Sequence, residues 1–142
     1  MRNCQIVIDT NVWVSALRSK QGASYRLFSI IDDPRFKVNV SVPLIWEYEE
    51  AALRLLGKIP LTERDIDDLL DYLCRISHHR EIFYLWRPFL SDPDDDMILE
   101  LAVAAECDYI ITYNARDFLG SRRFGIHTLT PGEFLRKIGA FT

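Results

Sequence analysis

Short runs of β-branched and apolar residues recur along this chain, each followed by a stretch with helical spacing. QIVID precedes NVWVSAL, FKVNVSV precedes LIWEYEEAALRLLG, and DYIITYN comes before the closing PGEFLRKIG. Runs this short and this continuously apolar suit strands buried on both faces. Strands that alternate with helices join through right-handed crossovers into a parallel sheet with helices on both sides. The chain is therefore expected to form an open, doubly covered α/β sheet. Its 142 residues carry no repeat, low-complexity tract or linker, so one domain spanning 1–142 with a real core is expected.

The elements can be placed along the chain. Residues 4–8 are the first expected strand, followed by a short helix from about Val12 to Leu17. ASYRLFSII reads as a helix ending before Asp32, Asp33 and Pro34, and FKVNVSV as the second strand. Pro43 suits the first position of the next helix, which runs to Gly57. LTERDIDDLLDYLCRI starts at a threonine cap, REIFYLW reads as a strand, and DPDDDMILELAVAAECD as a helix with an acidic start. DYIITYN is a strand, His127 begins a last strand, and PGEFLRKIG is the closing helix.

Composition narrows the partners only a little. The net charge of −4 argues against a strongly basic nucleic-acid clamp but not against a nuclease, because carboxylates that hold metal push the total negative. Arginine greatly outnumbers lysine, which suits bidentate contacts to phosphate or carboxylate. Cys4, Cys74 and Cys107 are odd in number, far apart and without a C-x-x-C pair. They read as small hydrophobes in a reducing compartment rather than a disulfide or zinc framework. IVI is too short for the apolar core of a signal peptide, and no apolar run is long enough to span a membrane. A cytoplasmic location is expected.

The acidic residues fall where strands end. In open α/β sheets, ligands bind beyond the carboxyl ends of the strands. Asp9 stands there, directly after Ile6, Val7 and Ile8; capping of the next helix is the competing reading. Glu47 is expected in the first turn of the helix after the second strand. Periodicity does not separate it from Glu49, since both border the stripe Leu44, Tyr48, Ala51 and Leu55; position in the first turn favours Glu47. An acid there also complements the helix dipole.

In SDPDDDMILELA, a helix extended back through Asp95 sets that side chain between Ile98, Leu99 and Ala102, facing inward. The same wheel sets Asp96 beside Glu100, toward solvent. Asp92 and Asp94 can cap or turn with Pro93. A carboxylate on an apolar face needs an arginine, a proton or a metal. After the strand DYIIT, Asn114 and Asp117 can turn back to the same edge, although Asp117 can equally cap or bridge to Arg116 or Arg122. Oxygen donors without clustered His or Cys favour Mg²⁺ or Mn²⁺ over zinc, and such sites usually serve phosphate chemistry. His78, His79 and His127 read as surface or structural residues.

Taken in order, IVIDTNVWVSAL, residues 41–53, DPDDDMILELAVAAECDYIITYNARDF and TPGEFL resemble the PIN domain, the nuclease fold of bacterial and archaeal VapC-type toxins. The resemblance implies a three-layer α/β/α fold with a central parallel sheet. It also implies metal-dependent endoribonuclease activity, the role of toxin in a type II toxin–antitoxin pair, and neutralisation by a cognate antitoxin. Carried over by position, the family's acids match Asp9, Glu47, Asp95 and Asp117, as catalytic residues and ligands of Mg²⁺ or Mn²⁺. Many relatives have an aspartate where this chain has Asn114; here the fourth charge shifts to Asp117. Asn11, Thr112 and Asn114 match supporting positions.

Arg116, Arg122 and Arg123 are candidates for holding the RNA backbone. Leu69, Leu70, Tyr72 and Leu73, with Trp86 and Phe89, supply more apolar surface than one helix needs, and the family implies dimers and an antitoxin groove. Two other classes compete. A degenerate PIN domain would bind RNA or a protein without cutting. A haloacid-dehalogenase-like phosphatase would need an acid two residues after Asp9, where this chain has Asn11.

Overall fold

The structure, a computed structural model, describes residues 3–81 and 93–140. The order is β1 (Cys4–Ile8), α1 (Thr10–Arg18), α2 (Ala23–Ser29), β2 (Phe36–Val40), α3 (Val42–Leu53), α4 (Glu63–Ile76) and β3 (His78–His79). Then come α5 (Pro93–Ala104), β4 (Tyr109–Ile111), two 3₁₀ turns (Ala115–Phe118 and Ser121–Phe124), β5 (His127–Leu129) and α6 (Pro131–Lys137). The strands make one five-stranded sheet in the order β3-β2-β1-β4-β5. Every pairing is parallel.

Local chemistry sets the helix starts. Ser41 caps α3, its hydroxyl accepting from the Leu44 N–H at 3.3 Å. Thr62 with Asp65, and Thr130 with Glu133, form reciprocal capping boxes at α4 and α6. The helix expected to reach Gly57 stops at Leu53; Gly57 takes a φ of +84° in the turn that follows, a conformation only glycine adopts cheaply. The strand expected at REIFYLW is not found at its first two residues. The rest of that run, with Trp86, Phe89 and Asp92, lies outside the described residues. The edge strand β3 comes earlier, at His78–His79.

Helices α1, α2, α3 and α4 pack in series, and α6 joins that layer through α2. The crossover from β3 to β4 runs back across the sheet, so right-handedness sets α5 on the opposite face, against β1, β2 and β4. This is a three-layer α/β/α fold, as the resemblance implies. Ile6, Val7 and Ile8 are fully buried at its centre, each contributing about 1.5–3 kcal/mol by burial. Trp13 of α1 stacks on Tyr48 of α3 with ring centroids 5.6 Å apart. The chain leaves β1 toward β2, and β4 lies on its other side. The chain leaves β4 the other way, toward β5, so a topological switch point falls between the ends of β1 and β4, the place where such sheets form a ligand crevice.

Candidate active site

Asp9 and Thr112 stand side by side at this crevice. The β1–β4 ladder continues one step beyond the strands: the Asp9 N–H donates to the Ile111 carbonyl at 2.9 Å. Asp9 is only 7% exposed. Its Oδ1 accepts from the Thr10 N–H at 2.8 Å, capping α1, and its Oδ2 accepts from the Thr112 hydroxyl at 2.7 Å. The carboxylate therefore caps α1, as the competing reading has it, and also lies at the carboxyl end of β1 beside β4.

Thr112 Oγ1 also receives the Asn114 N–H at 3.0 Å and Asn11 Nδ2 at 3.4 Å. A hydroxyl has one proton. With two donors already pointing at it, that proton goes to Asp9. The positions read as supporting therefore form a network around the first acid.

Glu47 sits in the second turn of α3, not the first, because the helix begins at Val42. The structure separates it from its neighbours: Glu49 and Glu50 are exposed, whereas Glu47 is half-buried with its Oε2 atom inaccessible. The adjacent Tyr48 is fully buried; its hydroxyl donates to the Ile8 carbonyl, and its own carbonyl accepts from the Trp13 indole at 2.9 Å. Burial pushes the Tyr48 hydroxyl well above the usual tyrosine pKa, and the charges of Asp9 and Glu47 push it the same way. Both carboxylates therefore act on one buried phenol.

A group whose folded pKa is raised contributes stability that is full below its unfolded pKa and is lost as pH rises through the folded value. Wild-type protein is expected to lose stability above about pH 10 as Tyr48 comes under pressure to ionise. Tyr48→Phe should cost about 1 kcal/mol at neutral pH through the lost hydrogen bond and should flatten that alkaline decline. Thermal melts of both proteins across this range check it. Identical curves would mean the hydroxyl contributes nothing at the end of β1.

The wheel reading of α5 needs correcting. Asp96 and Glu100, expected toward solvent, are both buried at 7% exposure, while Asp95 is half-buried. The reason is that Ile98, Leu99, Leu101 and Ala102 are all buried: the helix is covered over most of its circumference, so its wheel carries little direction. The missed signal was Glu100 itself, a single acid inside the run Met97–Val103. Running antiparallel to the strands it connects, α5 brings its acidic first turn to the edge where Asp9 lies.

Asp117 is half-buried in the first 3₁₀ turn, its N–H donating to the Asn114 carbonyl at 2.9 Å. Asn114, Arg116, Arg122 and Arg123 are exposed around it. The histidines lie elsewhere: His78 and His79 form β3, and His79 Nε2 is 2.7 Å from the Cys74 carbonyl. Cys4, Cys74 and Cys107 form no disulfide with one another.

The buried acids offer only oxygen donors, the chemistry a hard divalent cation prefers. Among the described residues, however, no three Asp, Glu, His or Cys side chains come together closely enough to hold one ion as they stand. The donor types fit a cation; their spacing is looser than a closed ligand set. No helix among the described residues is long and apolar enough to cross a membrane.

Comparisons with known proteins agree with the architecture. The family model described as PIN domain matches residues 5–116. A chain in the crystal structure of VapBC2 from Rickettsia felis, bound to a DNA fragment from their promoter, shares the fold. The TM-score is 0.57, at 12% sequence identity, covering 89% of this chain and 98% of that one. No curated protein matches the chain in sequence.

Proposed function

Because the chain belongs to the PIN domain family, we propose that it is a single-domain, metal-dependent endoribonuclease that hydrolyses RNA phosphodiester bonds. The observation that carries the reading is the oriented, buried Asp9 at the β1–β4 crevice, with Asp96 and Glu100 buried on α5 and Glu47 half-buried on α3, the two helices that reach the same edge.

In this reading Asp9, Glu47 and Asp96 hold Mg²⁺ or Mn²⁺, with Asp95 beside them at the start of α5 and Asp117 as the fourth acid. The cation, when bound, supplies charge against the phosphoryl transition state and acidifies a water. The chain does the positioning. Thr112 and the Thr10 N–H fix both oxygens of Asp9, and a carboxylate has about four acceptor sites in all. The Trp13–Tyr48 pair clamps α3 to the end of β1 and so holds Glu47 in place. Arg116, Arg122 and Arg123 draw the RNA backbone to this edge.

The reading extends to a cytoplasmic toxin of a type II toxin–antitoxin pair, with a cognate antitoxin and a homodimer. A groove of about 470 Å³, lined by Trp13, Leu17, Tyr25, Phe28, Leu69 and Tyr72 among others, supports a protein partner, since Tyr25, Leu69 and Tyr72 leave apolar surface exposed there.

Purified protein is expected to cut single-stranded RNA with Mg²⁺ or Mn²⁺ and to stop with a chelator. The same ions should raise its melting temperature, because a ligand specific to the native state at a hundredfold excess over Kd adds about 2.7 kcal/mol. Folded protein that cuts no RNA with either ion would replace this reading with the binding-only one. That second reading draws its support from the neutral Asn114 and the loose spacing of the acids.

A further inference from the structure

Directly after Thr112, the chain builds a second feature that adjoins the acidic edge, shares Asn114, Arg116 and Asp117 with it, and adds the ring of Tyr113. We propose that it is a nucleotide subsite: the ring of Tyr113 stacks on one base of single-stranded RNA, and Arg116 pairs with a neighbouring phosphate. The proposal rests on the nuclease reading for its substrate, but its geometry stands separately.

Tyr113 is 45% exposed, yet it is tethered at both ends. Its hydroxyl shares a 2.6 Å hydrogen bond with Oγ of Ser24, which is buried in α2, and its N–H lies 3.4 Å from Asn11 Oδ1. An aromatic ring held this way offers an open face with little motion left to lose, which lowers the entropic cost of stacking. It borders an open, mainly polar depression of about 390 Å³ lined by Tyr113, Asn114, Ala115, Arg116 and Asp117.

The contents of that depression match one nucleotide. Every base has a face that stacks on an aromatic ring whatever its sequence. Asn114 is exposed in the same depression, and its amide can donate to and accept from a base edge. Arg116 is exposed and, among the described residues, makes no ion pair. Arg122 and Arg123 are exposed on the following turn. In a chain of net charge −4, Arg116, Arg122 and Arg123 more than offset the one carboxylate, Asp117, that lines this depression. Duplex RNA keeps its base faces stacked inside, so the subsite selects single strands.

The test is fluorescence anisotropy of a labelled single-stranded oligoribonucleotide in chelator, which reads binding without cleavage, beside cleavage of the same RNA with Mn²⁺. Tyr113→Leu keeps bulk but removes the ring face, and should weaken binding about tenfold. Tyr113→Phe keeps the face and loses only the hydroxyl tether, and should stay within about threefold of wild type. Arg116→Gln should reduce the slope of log K against log salt by about 0.7, the loss of one phosphate contact on a single strand. If Tyr113→Leu melts below the assay temperature, Tyr113→Trp takes its place and should bind at least as tightly as wild type.

Wild-type affinity in Tyr113→Leu, a Tyr113→Phe variant as weak as Tyr113→Leu, weaker binding by Tyr113→Trp, or an unchanged salt slope in Arg116→Gln would overturn the subsite. Tyr113-dependent binding by a protein that never cleaves would overturn the nuclease reading and uphold the subsite. Metal-dependent cleavage with Tyr113-independent binding would do the reverse.

Discussion

Asp9→Asn is expected to lower RNA cleavage by about a thousandfold, equivalent to ~4 kcal/mol of barrier, while the protein still folds. The substitution keeps the shape of the side chain but removes the charge that a cation would need. It also meets a specific conflict. Asp9 accepts hydrogen bonds on both oxygens, from the Thr10 N–H and the Thr112 hydroxyl. An asparagine has one accepting oxygen, so its NH₂ must face either the Thr10 N–H, another donor, or Thr112 Oγ1, which already receives Asn114 and Asn11. The mismatch should cost about 1–3 kcal/mol of stability, seen as a lower melting temperature with an unchanged circular dichroism spectrum. Cleavage at the wild-type rate would remove Asp9 from the reaction altogether.

The second large effect separates two adjacent residues. Asp96→Asn should cost cleavage about a hundredfold, and Asp95→Asn less than tenfold, because Asp96 is the buried carboxylate of the pair. Added Mn²⁺ should also raise the melting temperature of Asp96→Asn less than that of Asp95→Asn, since a cation held by the native site stabilises it. This is the opposite order to the one the helical wheel gives. If Asp95→Asn proves the more damaging variant, α5 presents its acids to the crevice in the register read from sequence, and the burial of Asp96 serves only the fold.

The contrast shows what sequence carries here. β1 and Asp9 were legible because three fully apolar residues run into Asp-Thr-Asn with no spacer, a pattern that packing alone does not require. The capped starts of α4 and α6 were legible because their threonines act locally, on an N–H three residues away. The facing of α5 was not. Direction on a wheel comes from contrast between two sides, and a helix with buried residues nearly all round has little. Strand β3 escaped for a related reason: two exposed histidines pair with Asn39 and Val40 through backbone atoms, leaving no side-chain pattern to read. Tyr113 was invisible because its meaning lies in a hydrogen bond to Ser24, 89 residues earlier.

The hydrogen bond between Asp9 and Thr112 joins residues 103 apart, and that separation sets when the pocket can exist. During synthesis, β1 soon has one neighbour, since β2 follows and pairs from Cys4 with Phe36. Its other edge waits for β4. At about 5–20 residues per second, the interval between Asp9 and Thr112 emerging is roughly 5–20 s. Throughout it the acid lacks the hydroxyl that orients it, and the first turn of α5 has no completed edge to meet. On the proposed nuclease reading, a ribosome making this chain would meet no working site until the fold is nearly closed. Late assembly would then be a safeguard set by strand order alone.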